Sequence, residues 1–390
     1  MITVEQALEH LFSLTTPMEI EEIPLRAAAG RVLAQDVTAQ RTQPPFTASS
    51  MDGYALRRAE VEPDAMFKVV GEAAAGHRYT GMLNAGQAVR IFTGAPVPEG
   101  ADFVVIQEDV TRRGDLITLG HKIGEKDNIR PAGGDFTAGQ TVTAPLRLRP
   151  ADIALLAAMN IATVPVYRKP VLSIMATGDE LVQPGEVPGP DQIIASNTFG
   201  LAAQLDALGA ETRLMPIAHD NASSLQRAFE LAQGSDLIIT VGGASVGEHD
   251  LVAPVAAQMG MEQAFYKVAM RPGKPLMAGR LGSAAMVGLP GNPVSALVCG
   301  TIFVAPMVSA MLGLGHHAAP RRTAPLAADL PANGPREHYM RAVLTDGTVT
   351  PADRQDSSLL TVLATANALL VRPPNDPAHS AGTLVDVIDL

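Results

Sequence analysis

"DLIITVGGASVGEHD", residues 236–250, is the stretch whose reading decides the fold. The apolar run 237–241, bounded by Asp236 and by glycine, reads as a strand buried on both faces. Three glycines, Gly242, Gly243 and Gly247, follow it, with Ser245 among them, and the stretch ends on a carboxylate, Asp250. Two readings fit such a bend. It is either a bare tight turn or a loop whose glycines let a ligand touch the main chain.

Working outward, the same texture recurs. "KPVLSIMATGDE" (169–180) is a second buried strand ending in glycine and acids. In "SNTFGLAAQLDALGA" (196–210), Leu201, Leu205 and Leu208 share one helical face and Gly209 supplies the stop. A strand at "TRLMPIA" (212–218), a helix at "SSLQRAFELA" (223–232) and a helix at "LVAPVAAQM" (251–259) continue the alternation. Strands alternating with helices predict a central, doubly wound parallel α/β domain over 170–319, with ligands beyond the carboxyl ends of its strands.

Three such ends carry glycine or acid: "MATGDEL" (175–181), "IAHDN" (217–221) and the opening stretch. Lying along one rim, they bring Asp179, Glu180, Asp220 and Asp250 round one ligand. The plainer alternative makes Asp220 a helix cap and Asp179 a turn stabiliser. "FYKVAMRPGKPLMAGR" (265–280) adds Lys267, Arg271, Lys274 and Arg280 with no acid between them, stiffened by Pro272 and Pro275. A rigid cationic loop suits a phosphate or another oxyanion. In "GLPGNPVSALV" (288–298), Asn292 suits an N-cap, Pro293 the first turn and Gly291 a close backbone approach, so that a helix N-terminus faces the same rim. Carboxylates and cations together suit a phosphate ester bound with Mg²⁺. "ATGDEL" lacks the GxGxxG fingerprint of dinucleotide folds, and no Walker A sequence occurs.

Composition bounds the rest. The 390 residues exceed one ordinary core, and a net charge of -11 argues against nucleic acid as the main partner. The single cysteine, Cys299, excludes an internal disulfide and a cysteine zinc cage. The start, "MITVEQALEHLF", reads as an amphipathic helix opened by a capping box of Thr3 and Gln6, and Glu5 and Glu9 exclude a signal peptide. Residues 294–314 have the length of a membrane span, but Gly300, Pro306 and several hydroxyls favour a buried core helix. The expectation is a cytoplasmic protein with no membrane contact.

Before Arg168 the texture is β-rich. "VRIFTGAPVPEGADFVVIQEDV" (89–110) and "DLITLGHKI" (115–123) read as strands and turns of a mostly β module, 41–140. It interrupts a discontinuous helical and β region, 1–40 plus 141–169, in which "PADIALLAAMN" (150–160) is expected to pair with the N-terminal helix. Beyond 320, "PREHYMRAVL", "TLVDVIDL" and turns at Asp346-Gly347 and Ala381-Gly382 predict a small β-rich domain.

"SSMDGYA", "TGAPVPEGADFVV", "RPAGGD", "ATGDEL", "VGGASVGEHD", "RPGKP" and "GLPGNPVSA" stand in one order along the chain. In this the chain resembles the molybdopterin molybdenumtransferases, a family that includes the E domain of gephyrin. The resemblance implies an elongated homodimer with its active site between subunits. It implies a reaction in which adenylylated molybdopterin and molybdate give molybdenum cofactor and AMP, with Mg²⁺. It makes Glu180, Asp220 and Asp250 the acidic, metal-holding positions and Lys267, Arg271 and Lys274 the anion-binding ones. Asp52 and Thr93 become module residues reaching the partner's cleft, and Asp135, a further catalytic position, matches the acid of the family's R-x-x-G-E-D pattern. Thr177, Gly178, Asp179, Gly242, Gly243, Ser245, Gly247, Pro290, Gly291, Asn292, Pro293, Ser295, Arg341 and Ser357 become substrate-binding positions. A molybdopterin adenylyltransferase and molybdoenzyme chaperones are the partners it suggests.

The chain departs from the family pattern in places. Gly134 stands for a usual glutamate before Asp135 and Ala342 for the glycine after Arg341. In "QDSSLLTVLATANAL" (355–369), Asp356 stands for a usual glycine and Thr361-Val362 for a Ser-Ser pair. Two rival functions are an adenylyltransferase of the preceding step, which leaves the N-terminal module without a role, and a non-catalytic scaffold, which leaves the acids and lysines without one.

Overall fold

The computed structural model describes residues 1–243 and 251–390. At its centre lies a six-stranded sheet in the order Glu211–Leu214, Val171–Ala176, Leu237–Val241, Ala284–Leu289, Met277–Leu281, Glu262–Tyr266. The first four strands are parallel. Met277–Leu281 runs antiparallel to both its neighbours, so the expected parallel sheet carries one reversed strand. The cause is local: Gly282 (φ +60°) and Ser283 turn Leu281 straight back into Ala284. Because Glu262–Tyr266 again runs with the parallel set, the chain leaves it at the edge where the other strands end.

Side chains alternate between two cores. Leu172, Ile174, Leu237, Ile239 and Val287 pack with Leu201 and Leu205 of the Asn197–Ala207 helix and with the apolar helix that begins at Pro293. Met175, Ile238 and Met286 pack on the opposite face with Leu225, Phe229, Val252 and Val255 from the helices Ala222–Leu231 and Val252–Gln258. Gly209, at φ +96°, follows the Asn197–Ala207 helix and ends it as expected. Pro293–Met311 is apolar and long enough to cross a membrane, yet 78% of it is buried within the protein.

A four-stranded sheet joins Ile20–Pro24 and Val32–Leu33 to Leu146–Arg147 and Thr163–Tyr167. Between those segments lies a six-stranded sheet built from residues 53–119. Arg168 closes the junction with the central sheet. Its guanidinium donates 2.8 and 3.0 Å bonds to both oxygens of Asp236 and a 2.9 Å bond to Glu19. Asp236 also accepts the Val171 N–H at 2.7 Å, which fixes where the central strand begins.

The capping box forms, with Gln6 N–H on Thr3 Oγ1 at 3.1 Å and Thr3 N–H on Gln6 Oε1 at 3.0 Å. The Val4–Ser13 helix does not, however, pair with the Pro150–Ala158 helix. Its Val4, Ala7, Leu8 and Leu11 enter the central core, whereas Leu156 of the second helix packs with Leu25, Leu148 and Val164. Amphipathic spacing says that a helix has one apolar face and not which core receives it. At the other end, Glu337–Thr345 turns at Asp346-Gly347 into Thr348–Pro351 and pairs with Ala368–Arg372. Tyr339, Leu369, Val371 and Ile388 of this C-terminal sheet share the central core.

Candidate active site

The carboxyl ends of the parallel strands frame a cleft of about 730 Å³. Thr177, Gly178, Glu180, Asp220, Gly242, Gly243, Pro290, Gly291, Asn292 and Pro293 all line it, so the predicted rim is real. Thr177 bridges to Ala218 beyond the ends of two strands, which draws the Asp220 loop to the Glu180 loop.

The glycines have a steric reason. Gly242 and Gly243 take φ +98° and +60°, and a Cβ on Gly242 would lie 2.7 Å from the Thr177 carbonyl. Gly291 differs, because a Cβ there would meet only Gly242 Cα at an ordinary 3.5 Å. Its bareness keeps the floor of the cleft open. Thr177 lines the cleft and is buried, and its hydroxyl has no partner among the described residues.

The acids divide. Asn221 caps the Ala222–Leu231 helix, accepting from Ser224 N–H at 2.9 Å, so Asp220 is not the cap and its side chain faces the cleft. Asp179 is the turn residue: its Oδ1 accepts Asp220 N–H at 3.2 Å and meets the His219 ring at 3.0 Å. It does not line the cleft. Asp250, Ser245 and Gly247 lie outside the described residues.

The basic loop stands at the same edge, two strands away, and Pro275 enters the cleft wall. Pro272 and Gly273 are buried while Arg271 and Lys274 project into solvent. Val268 N–H bonds Lys274 O at 3.1 Å and Lys267 N–H bonds Leu276 O at 2.9 Å, which ties the loop's two arms together. Lys267 Nζ sits 4.9 Å from the Tyr266 ring centroid. Among the described residues none of Lys267, Arg271 and Lys274 forms a salt bridge.

The C-terminal domain supplies the remaining wall. Met270–Arg271 adds as a parallel strand to Glu337–Thr345, pairing Arg271 with His338. Arg341 is fully buried, and only its Nη2 is held, by the carbonyls of Arg354 (3.3 Å) and Asp356 (2.9 Å). Its Nε and Nη1 are buried with no partner among the described residues, a donor edge that a water or an anion would satisfy, and Arg341 itself is not in the cleft lining. Ser357 O accepts Val294 N–H at 3.0 Å, and neighbouring Ser358 lines the cleft. Ser295 is buried on the helix and does not reach the lining, and Asn292 holds the N-cap position without a side-chain bond to the helix.

Sequence reasoning missed Asn197, whose carboxamide donates to Gly291 O at 2.7 Å, and Ser358. The helix-start signal "ASNTFG" could have found the first. It also missed His338, whose Nε2 is buried without a partner among the described residues. Burial, with Arg271, Arg341, Arg372 and Arg336 close by, pushes its imidazole down to about 4, so it is neutral and cannot repel those cations. A buried histidine in an alternating strand leaves no sequence mark.

In the β module, Thr93 donates its backbone N–H (2.7 Å) and its hydroxyl (2.8 Å) to one oxygen of Asp52. Those two bonds, with Arg90 adding to them, hold the Asp52 carboxyl below its ordinary range. Asp135 is exposed in the same module. None of Asp52, Thr93 and Asp135 lines this chain's own cleft.

Comparison with known proteins agrees with this layout. Residues 2–160 match the MoeA N-terminal region (domain I and II), 173–310 a probable molybdopterin binding domain, and 323–390 the MoeA C-terminal region (domain IV). The chain is 38% identical to a molybdopterin molybdenumtransferase of Haemophilus influenzae over 80% of its own length and 78% of that protein's. It is 35% identical to one from Nostoc over 97% and 90%. Among solved structures, the MoeA protein of Pyrococcus horikoshii superposes with TM-score 0.85 at 26% identity, all of both chains being covered. The chain belongs to the molybdopterin molybdenumtransferase family.

Proposed function

We propose that the chain transfers molybdenum to molybdopterin: it takes adenylylated molybdopterin and molybdate and yields molybdenum cofactor and AMP. The observation that carries this reading is an acid-bearing cleft whose wall, at Pro275 and Ser358, is shared with the basic loop and the C-terminal domain. Glu180 and Asp220 line the cleft, and next to Pro275 and Ser358 stand Arg271 and Lys274, which form no salt bridge among the described residues, and Arg341, whose Nε and Nη1 have no partner among them.

Molybdate is a tetrahedral dianion, and Arg271, Lys274, Lys267 and Arg341 are its holders in this reading. The pterin and nucleotide phosphates lie along the glycine ends and the Pro293 helix start, where backbone N–H groups favour anions. Glu180 and Asp220 offer hard carboxylate oxygens, the donors that Mg²⁺ takes together with substrate phosphates. When bound, the ion supplies charge neutralisation at the phosphate oxygens. The buried, protonated Cys299 has no part in this chemistry, because the dithiolene belongs to the substrate.

The Asp52–Thr93 pair serves the cleft of a second copy, since it is built like a site but lies away from its own. In this reading the protein works in the cytoplasm as a homodimer with two shared sites. Release of AMP from adenylylated molybdopterin, measured with and without molybdate, tests the whole reading. Molybdate-dependent release supports it, and an ATP-consuming adenylylation, or no turnover, would point to a rival.

A further inference from the structure

Asp356 stands two residues before Ser358, a residue of the cleft wall. Its Oδ1 accepts the Ser358 N–H at 2.8 Å and the Ser358 hydroxyl at 2.7 Å. A carboxylate accepts hydrogen bonds only, so the single Ser358 proton is committed to it. Ser358 lines the cleft, and what its oxygen shows there is lone pairs. The Asp356 carbonyl meanwhile holds Arg341 Nη2 at 2.9 Å. The Asp356 carboxylate is thus the acid standing by the guanidinium whose Nε and Nη1 have no partner among the described residues.

We propose that Asp356 sets the oxyanion affinity of this cleft, by withholding the Ser358 proton and by competing with the bound dianion for Arg341. The inference rests on the molybdate reading above and adds a residue that tunes it. The oxyanion is held more weakly than the surrounding cations alone would hold it, and the weakness is local to one carboxylate. A tetrahedral dianion needs donors at several corners. This chain removes one donor and adds one negative charge at the same place. Asp356 touches no reacting atom in this account; it acts through Ser358 and Arg341 as a positioning residue. A turn-forming role alone would also produce the two bonds to Ser358, but it would leave the oxyanion requirement unmoved.

The test compares the full chain with Asp356→Gly, Asp356→Asn, Ser358→Ala and the Gly/Ala double variant. Two quantities are read: the molybdate concentration for half-maximal AMP release, and molybdate retained in equilibrium dialysis. Asp356→Gly is expected to lower the half-saturating concentration about three- to tenfold, and Asp356→Asn, which keeps the bonds but loses the charge, by part of that. Ser358→Ala is expected to raise the requirement at least about threefold more in the Asp356→Gly background than in the natural one. Equal half-saturation in the natural, Gly and Asn proteins would overturn the inference, as would a Ser358→Ala effect that ignores residue 356. Should Asp356→Gly fold poorly, the isosteric Asn variant decides. If AMP release by the natural protein ignores molybdate altogether, the site reading itself fails and this inference falls with it.

Discussion

Gly273 lies against Cys299: a Cβ on Gly273 would overlap the cysteine sulfur, and Gly273 sits at φ +103°. The basic loop is therefore seated directly on the buried apolar helix, and the helix residue beneath it is the chain's single cysteine. Charge at the rim and packing in the core are one construction here.

Gly273→Ala should consequently cost about 1–3 kcal/mol of stability, from the left-handed backbone and the overlap together. Cys299→Ala in the same chain should return only the overlap part. Urea unfolding of the natural protein, the single variant and the double variant measures this, and an undisturbed Gly273→Ala protein would mean that the loop is not seated on the helix. Cys299, fully buried and with its thiol pushed up by that burial, should resist thiol reagents until the protein unfolds.

The Asp52–Thr93 pair makes a prediction about sharing. Asp52→Asn and Lys274→Gln homodimers should each be poorly active. When the two are mixed and allowed to exchange subunits, half the dimers carry one intact site, giving about a quarter of natural activity. Mixing without recovery would place Asp52 outside the reacting site.

Arg168 and Asp236 predict a pH dependence. Burial works against the Asp236 charge, but Arg168 and the Val171 N–H outweigh it and leave the folded carboxyl below its usual value. A depressed carboxyl adds stability that is present above the unfolded pKa, near 3.8, and is lost as pH falls through the folded one. Arg168→Met should therefore cost about 1–3 kcal/mol at pH 7, and progressively less as pH falls below 3.8 through the folded carboxyl's lower value. A cost that stays constant down the acid limb to unfolding would show that the ion pair does not set it.

Asp220→Asn should leave the fold intact, since Asn221 is the helix cap, and should raise the Mg²⁺ concentration needed for turnover about tenfold. Chelation with EDTA should stop turnover in the natural protein, and readdition of Mg²⁺ should restore it. An unchanged metal requirement in the variant would remove Asp220 from the metal set.

Much of this was legible in the sequence where a residue's identity has one local cause. Glycines at 242 and 243, the Pro-Gly-Lys-Pro frame and Gly209 each answer a backbone demand that no other residue meets as well. Asp179 and Asp220 were indistinguishable by that logic, because whether an acid caps, turns or faces a ligand depends on its neighbour, and here Asn221 took the cap. The destination of the N-terminal helix, the neutral state of His338 and the place of Ser358 depend on contacts between distant segments. The reversed strand Met277–Leu281 had a readable signal in Gly282-Ser283, a two-residue hairpin turn inside an apolar run.

The central claim, that this cleft hands molybdate to a pterin through the basic loop, is tested most directly by Lys274→Gln. Lys274 is exposed on a rigid frame and has no salt bridge among the described residues. AMP release from adenylylated molybdopterin is measured against molybdate for the natural and variant proteins. The account predicts a half-saturating molybdate concentration raised about ten- to hundredfold, with the rate recovering at excess molybdate. Weakened binding of the adenylylated pterin with molybdate dependence unchanged would contradict it and assign Lys274 to the phosphates.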